Sequence, residues 1–158
     1  MNKIEEFIER SKESESFCFD IEHDPTLDCN KSNFELHGCS FATEGIVFYE
    51  RDYDVIKHII TTLFSTDIYA VAHNAKSDTK NLVAAKIITP YEYPENLVDT
   101  MGAENLLDDN LNPKQLALSK IVFSRYGHEM MEFKEAWGAG ADVFEEYSCE
   151  DARFELKL

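Results

Sequence analysis

The chain is poor in positive charge: 15 lysines and arginines face 31 aspartates and glutamates, a net charge of -16 over 158 residues. Broad, salt-dependent gripping of a nucleic-acid duplex needs a basic face, and this composition excludes it. Capture of one strand end is not excluded, because bound divalent cations reverse the field locally and turn some acidic residues into ligands. No apolar run reaches the length of a membrane span, and Met1-Asn-Lys-Ile-Glu-Glu lacks the apolar core of a secretory leader. A soluble cytoplasmic protein with no membrane partner is expected. The cysteines, Cys18, Cys29, Cys39 and Cys149, form no C-x-x-C pair, and no histidine falls near them at finger-like spacing. That argues against structural zinc, and Cys18 and Cys39, in apolar runs, read as buried thiols. Internal repeats and low-complexity linkers are also missing.

What is present suffices for one domain, with hydrophobic residues at 44%. Ile4, Phe7 and Ile8 have helical spacing and predict a short lead-in helix within residues 1–16. The catalytic fold is expected over 17–158. Phe17-Cys-Phe-Asp-Ile predicts a buried strand, and Phe34 to Thr43 with Gly45 to Tyr49 a hairpin. Val55, Ile56, Ile59, Ile60 and Leu63 mark a helix, Ile68 to Ala72 a strand, and 75–86 a helix containing Asp78. A strand near 96–98 and a helix over 100–107 follow. Asn112-Pro113 predicts a further helix start, the glycines between Tyr126 and Ala141 predict a mobile loop, and a last helix is expected from Val143 onward. This order implies an α/β fold, a mixed central sheet flanked by helices.

Three segments carry chemistry: Asp20-Ile-Glu22, Asn74-Ala-Lys-Ser-Asp78 and Tyr147-Ser-Cys-Glu-Asp151. Asp20 and Glu22, two apart on a strand, leave the same face within reach of one ion. For an isolated D-x-E, an exposed strand end is the more common explanation. Tyr147 and Asp151, four apart on a helix, share a face, as they would on any solvated acidic helix. Asp78 lies near a helix start after a buried strand, an edge where α/β folds gather functional groups. Clustered carboxylates are the hard oxygen ligands that two-metal phosphodiester hydrolysis requires.

In this order the segments resemble the three motifs of the DEDD, or DnaQ-like, superfamily of 3′-to-5′ exonucleases, tyrosine subclass. The nearest resemblance is to the proofreading domain of family A DNA polymerases. It rests on Phe17-Cys-Phe-Asp-Ile-Glu-His-Asp, His73-Asn-Ala-Lys-Ser-Asp78, Asp99-Thr-Met, Leu116-Ala and Tyr147-x-x-x-Asp151, and covers the chain from about Phe17. The resemblance implies a ribonuclease H-like fold and release of nucleoside monophosphates from the 3′ end of single-stranded DNA in a bacterial or phage-infected cell. Asp20, Glu22, Asp78 and Asp151 would hold two Mg²⁺ or Mn²⁺ ions about 4 Å apart. Tyr147 would orient the attacking water, since a phenol with a pKa of about 10 is a poor base at neutral pH.

Substrate contacts are expected at Asn74, Leu27 and Phe133, the last two by stacking against terminal bases. Asn74 reads equally well as a helix N-cap, whereas lone apolar residues such as Leu27 and Phe133 are more often core than platform. Two departures stand out: Ser77 occupies the place of a usual aromatic, and His23 that of a small polar residue, where it could touch substrate or metal. Trimming of RNA, as by ribonuclease D, and a domain retained only for binding are the alternatives. The chain ends at Leu158 within the expected last helix, which fits a fragment, a split polymerase subunit or a free-standing enzyme, with a polymerase domain or subunit as a partner.

Overall fold

The protein is described here as a computed structural model, covering residues 2–26, 34–108 and 111–158. Its framework is a five-stranded mixed sheet in the order β3-β2-β1-β4-β5, formed by β1 (Ser16–His23), β2 (Leu36–Thr43), β3 (Ile46–Glu50), β4 (Tyr69–Ala72) and β5 (Leu97–Asp99). β2 runs antiparallel to both of its neighbours, β1 and β3, while β4 and β5 lie parallel to β1. The expected mixed sheet is therefore present, with β1 at its centre.

Alternation along β1 divides the core in two. Phe17, Phe19 and Ile21 enter the larger cluster, where they meet α1 (Lys3–Glu13), α2 (Tyr53–Phe64) and Leu82 of α3 (Ala75–Ala84). The helix α1 is integral to this core. A capping box between Asn2 and Glu5 starts it, and its fully buried Phe7 meets the rings of Phe41 and Phe48 at 5.7 and 5.1 Å. Cys18 faces the other way and packs with Ala42, Val71 and Ala152 beneath α7 (Ala141–Glu155). Asp20 and Glu22 share that second face, so the long C-terminal helix lies over the carboxylates of β1.

Two expected features differ. Pro113 does not open a helix; α5 (Leu118–Tyr126) begins five residues later, after α4 (Thr100–Leu107). Asn112 and Gln115 instead close a turn on themselves: the Asn112 carbonyl accepts from the Gln115 N–H at 2.9 Å, and the Asn112 side chain from the Lys114 N–H at 3.0 Å. That turn satisfies the groups a helix would have used. The segment between Tyr126 and Ala141, expected to be a loop, contains the helix α6 (Phe133–Ala139). Its buried Ala136 packs against Tyr49 and Phe144, and this tertiary contact outweighs the local glycines.

The hairpin register slips between Glu22 and His23: Glu22 pairs with Gly38 but His23 with Leu36, leaving His37 as an extra residue on β2. Beside this bulge Gly38 is obligatory, because a Cβ there would overlap the Tyr49 phenol and come within 2.7 Å of the Glu50 carbonyl oxygen. Gly38→Ala should accordingly lower folding stability by about 1–3 kcal/mol, the cost of overpacking. Chemical denaturation checks this, and a change under about 0.5 kcal/mol would contradict the close approach.

Candidate active site

Strand lengths create the site. β4 pairs only with Ser16, Phe17 and Cys18 of β1, so β1 runs past its neighbour and leaves an open edge. There the Ile21 N–H donates to Asp78 Oδ1 at 3.4 Å, drawing the first turn of α3 against the strand. The turn from β4 into α3 is clasped from below. His73 Nε2–H donates to the Leu116 carbonyl at 2.8 Å, which leaves Nδ1 to accept from the Thr100 hydroxyl, also at 2.8 Å. Burial depresses the His73 pKa, consistent with this neutral ring. Asn74 adopts the left-handed conformation at φ 65°, which asparagine tolerates. Its N–H donates to Asp99 Oδ1 at 2.9 Å, an oxygen that also caps α4.

On the other face of β1, α7 delivers Tyr147, Ser148 and Asp151. Asp20, Glu22 and Asp151 bring carboxylate oxygens within 4.8 Å of one another, a set able to hold a metal ion. Asp78 stands beside this trio on the open strand edge rather than within it. Glu22, Asp78 and Asp151 are all buried and Asp20 is partly so. Burial raises the pKa of each, and mutual repulsion adds to the rise for Glu22, Asp78 and Asp151. Asp20 is pushed up to about 6, chiefly by burial. Among the described residues, no basic side chain ion-pairs with any of the four. Buried carboxylates without a counter-charge are costly, and a hard divalent cation supplies what they lack. A further sign of fit is Ser40 Oγ, buried and without a hydrogen-bond partner, across the hairpin from Asp20.

Sequence reading missed Ser148 and Glu155. The fully buried Ser148 hydroxyl lies 2.9 Å from Glu22 Oε1, as well as from the Phe144 carbonyl, and braces the carboxylate. Glu155 continues the four-residue spacing of Tyr147 and Asp151 into the core, where the Cys18 thiol donates to it at 3.2 Å. Burial, then the charges of Asp20, Asp78 and Asp151, raise the Glu155 pKa and favour its neutral form. The Y-x-x-x-D-x-x-x-E spacing was a visible signal; nothing marked Ser148.

The other expected residues separate. Burial and the neighbouring Asp151 hold the Tyr147 phenol well above its ordinary pKa, so it is a neutral donor. Phe133 starts α6 and meets the Tyr147 ring edge-on at 6.2 Å. The Asn74 side chain is exposed and makes no cap bond despite standing at the N-cap of α3. His23 leaves the strand on the opposite side from Glu22, packing on Phe34 at 5.4 Å with Nδ1 3.0 Å from the Asp24 carbonyl. Ser77 lies half-buried in the first turn of α3, and Leu27 falls outside the described residues.

A carboxylate whose pKa is raised by folding contributes stability below its unfolded pKa and loses it as pH rises through the folded value. Metal-free protein should therefore lose melting temperature between pH 5 and 7, and Asp20→Asn should flatten that slope. Mn²⁺ should raise the melting temperature at pH 7 more than at pH 5, and less in Ser148→Ala. Thermal melts at several pH values measure all three, and a wild-type slope unchanged in Asp20→Asn would contradict the assigned crowding.

Comparison with known proteins agrees with this geometry. A family profile described as 3′-5′ exonuclease matches residues 2–156. The fold is similar to that of Trypanosoma brucei RNase D bound to GMP, with a TM-score of 0.75 and 18% identity over 98% of this chain and 52% of the other. Escherichia coli RNase D, an exoribonuclease involved in structured RNA processing, gives a TM-score of 0.71 at 14% identity, over 98% of this chain and 40% of the other. The Aedes aegypti Nibbler EXO domain gives 0.68 at 13%, over 98% and 78%. The chain thus spans about half or less of the two RNase D chains. Comparison with curated proteins returns no significant match. The ribonuclease H-like sheet, the acidic cluster and the profile spanning nearly every residue together mean that the chain belongs to the DEDD family of 3′-5′ exonucleases.

Proposed function

We propose that this exonuclease removes nucleoside monophosphates from the 3′ end of single-stranded DNA, using two divalent cations. The observation that carries the reading is the convergence of Asp20, Glu22 and Asp151 within 4.8 Å, with Asp78 beside them. Asp20, Glu22 and Asp151 would hold one cation, and Asp78 together with Asp20 would hold the second. Bound Mg²⁺ or Mn²⁺ supplies water activation and counter-charge for the leaving oxygen. Ser148 orients Glu22 by donating to it, a contact that favours the ionised form against the burial and repulsion that oppose it. Tyr147, neutral at working pH, donates a hydrogen bond toward the attacking water and fixes its approach, as in the tyrosine subclass. Phe133 offers an aromatic face beside Tyr147 for the terminal base.

DNA as the substrate rests on the motif resemblance to polymerase proofreading domains, and with it a polymerase domain or subunit as partner. RNA trimming is the second reading, favoured by the likeness to the two RNase D structures. Matched DNA and RNA oligonucleotides should show a higher kcat/KM for DNA, and a tenfold preference for RNA would overturn the substrate assignment. Asp151→Ala should abolish cleavage of both while the protein remains folded. Tyr147→Phe should lower kcat roughly a hundredfold with little change in KM, the signature of lost positioning. Full activity in Asp151→Ala would refute the site.

A further inference from the structure

A pocket of about 320 Å³ opens beside the carboxylate site, lined by His37, Arg51, Trp137, Phe144, Gly140 and Ala141. No carboxylate lines it, which is unusual in a chain of net charge -16. The pocket is built rather than incidental. The hairpin bulge gives β2 the extra residue His37, and Gly38 clears space for Tyr49, whose hydroxyl lies 2.7 Å from His37 Nδ1. The His37 ring meets Trp137 at 4.9 Å and Phe144 edge-on at 5.1 Å. Arg51 lies over the Tyr49 ring at 5.5 Å with its side chain exposed to solvent.

A continuous path of rings leads from the catalytic tyrosine to this pocket. Tyr147 touches Phe144 at 5.9 Å and Phe133 at 6.2 Å, and Phe133 stacks on Trp137 at 5.6 Å with planes 23° apart. Burial and the nearby Arg51 depress the His37 pKa, so its ring is a neutral, flat surface at pH 7. With Nδ1 accepting from Tyr49, its Nε2–H makes no hydrogen bond among the described residues and remains available to an acceptor. Flat aromatic faces and one isolated guanidinium are what a stacked base and its phosphate require.

We infer that the His37–Arg51–Trp137 pocket binds a nucleotide of the single strand upstream of the cleaved bond, its base against Trp137 and its phosphate against Arg51. This rests on the exonuclease reading: with the 3′ end at the carboxylates, any second nucleotide held by the protein lies toward the 5′ side. It also supplies what the overall charge denies, since the strand is gripped by stacking with only one basic contact. Cleavage would then favour strands long enough to reach the pocket.

Trp137 is the single tryptophan in the chain and reports directly on its own pocket. Its emission should be followed during titration with a phosphorothioate-linked eight-nucleotide thymidine strand in Mg²⁺, and with thymidine monophosphate. Binding of the strand is measured separately by anisotropy of a 5′-labelled copy. The strand should change Trp137 emission and the mononucleotide should not. Trp137→Ala should weaken strand affinity about tenfold, within the range for one stacked base. Arg51→Gln should reduce the slope of log affinity against log salt by about 0.7, one phosphate contact on a single strand. Strand binding and cleavage with unchanged emission and an unchanged salt slope would overturn the pocket assignment alone. Neither binding nor cleavage would overturn the exonuclease reading and the pocket with it.

Discussion

Crowding of like charge around Asp20 is the constraint on which the rest of the structure depends. Glu22, Asp78 and Asp151 are buried within reach of its field, and no basic side chain among the described residues neutralises them. Such a cluster survives only on a scaffold that forces it together. The scaffold here is the central strand β1, locked on one side by the β2–β3 hairpin and on the other by the parallel strand β4. Large aromatic contacts through Phe7, Phe17, Phe19, Phe41 and Phe64 anchor its reverse face. The stability gained on that side offsets the electrostatic cost on the other, a division common where a fold carries a functional site.

Strand alternation and helix periodicity explain why much of this was legible in the sequence. Phe17-Cys-Phe-Asp-Ile sends apolar and acidic side chains to opposite faces by the two-residue period alone, and the four-residue spacing of Tyr147 and Asp151 puts both on one helix face. Long periodic elements such as α2 were readable for the same reason. Pro113 misled because the Asn112–Gln115 turn closes on its own side chains, and the 126–141 segment because Ala136 is held by partners distant in sequence. The role of Ser148 was illegible: a buried serine becomes meaningful only when a strand 126 residues away brings Glu22 to it. His23 falls on the side of the sheet away from the carboxylates because it directly follows Glu22 on β1, and neighbouring strand residues alternate faces.

The hairpin bulge links the carboxylate cluster to the aromatic pocket. Glu22 and His37 flank it on paired strands, and α7 touches both, through Ser148 at the carboxylate and Phe144 at the imidazole. A displacement of α7 would therefore disturb metal ligands and aromatic pocket together. On the proposed reading, cations held at the carboxylates and rings lined along α6 and α7 would take the place of a broad basic surface.

The most direct test of the central claim is calorimetric titration of the protein with Mn²⁺ at pH 6 in buffers of different ionisation heats. Carboxylates whose pKa is raised by burial and by their mutual repulsion must release protons when a cation replaces the missing counter-charge. The account predicts Mn²⁺ binding with proton release, both reduced in Asp20→Asn. Binding with no proton release, or equal binding by wild type and Asp20→Asn, would contradict it.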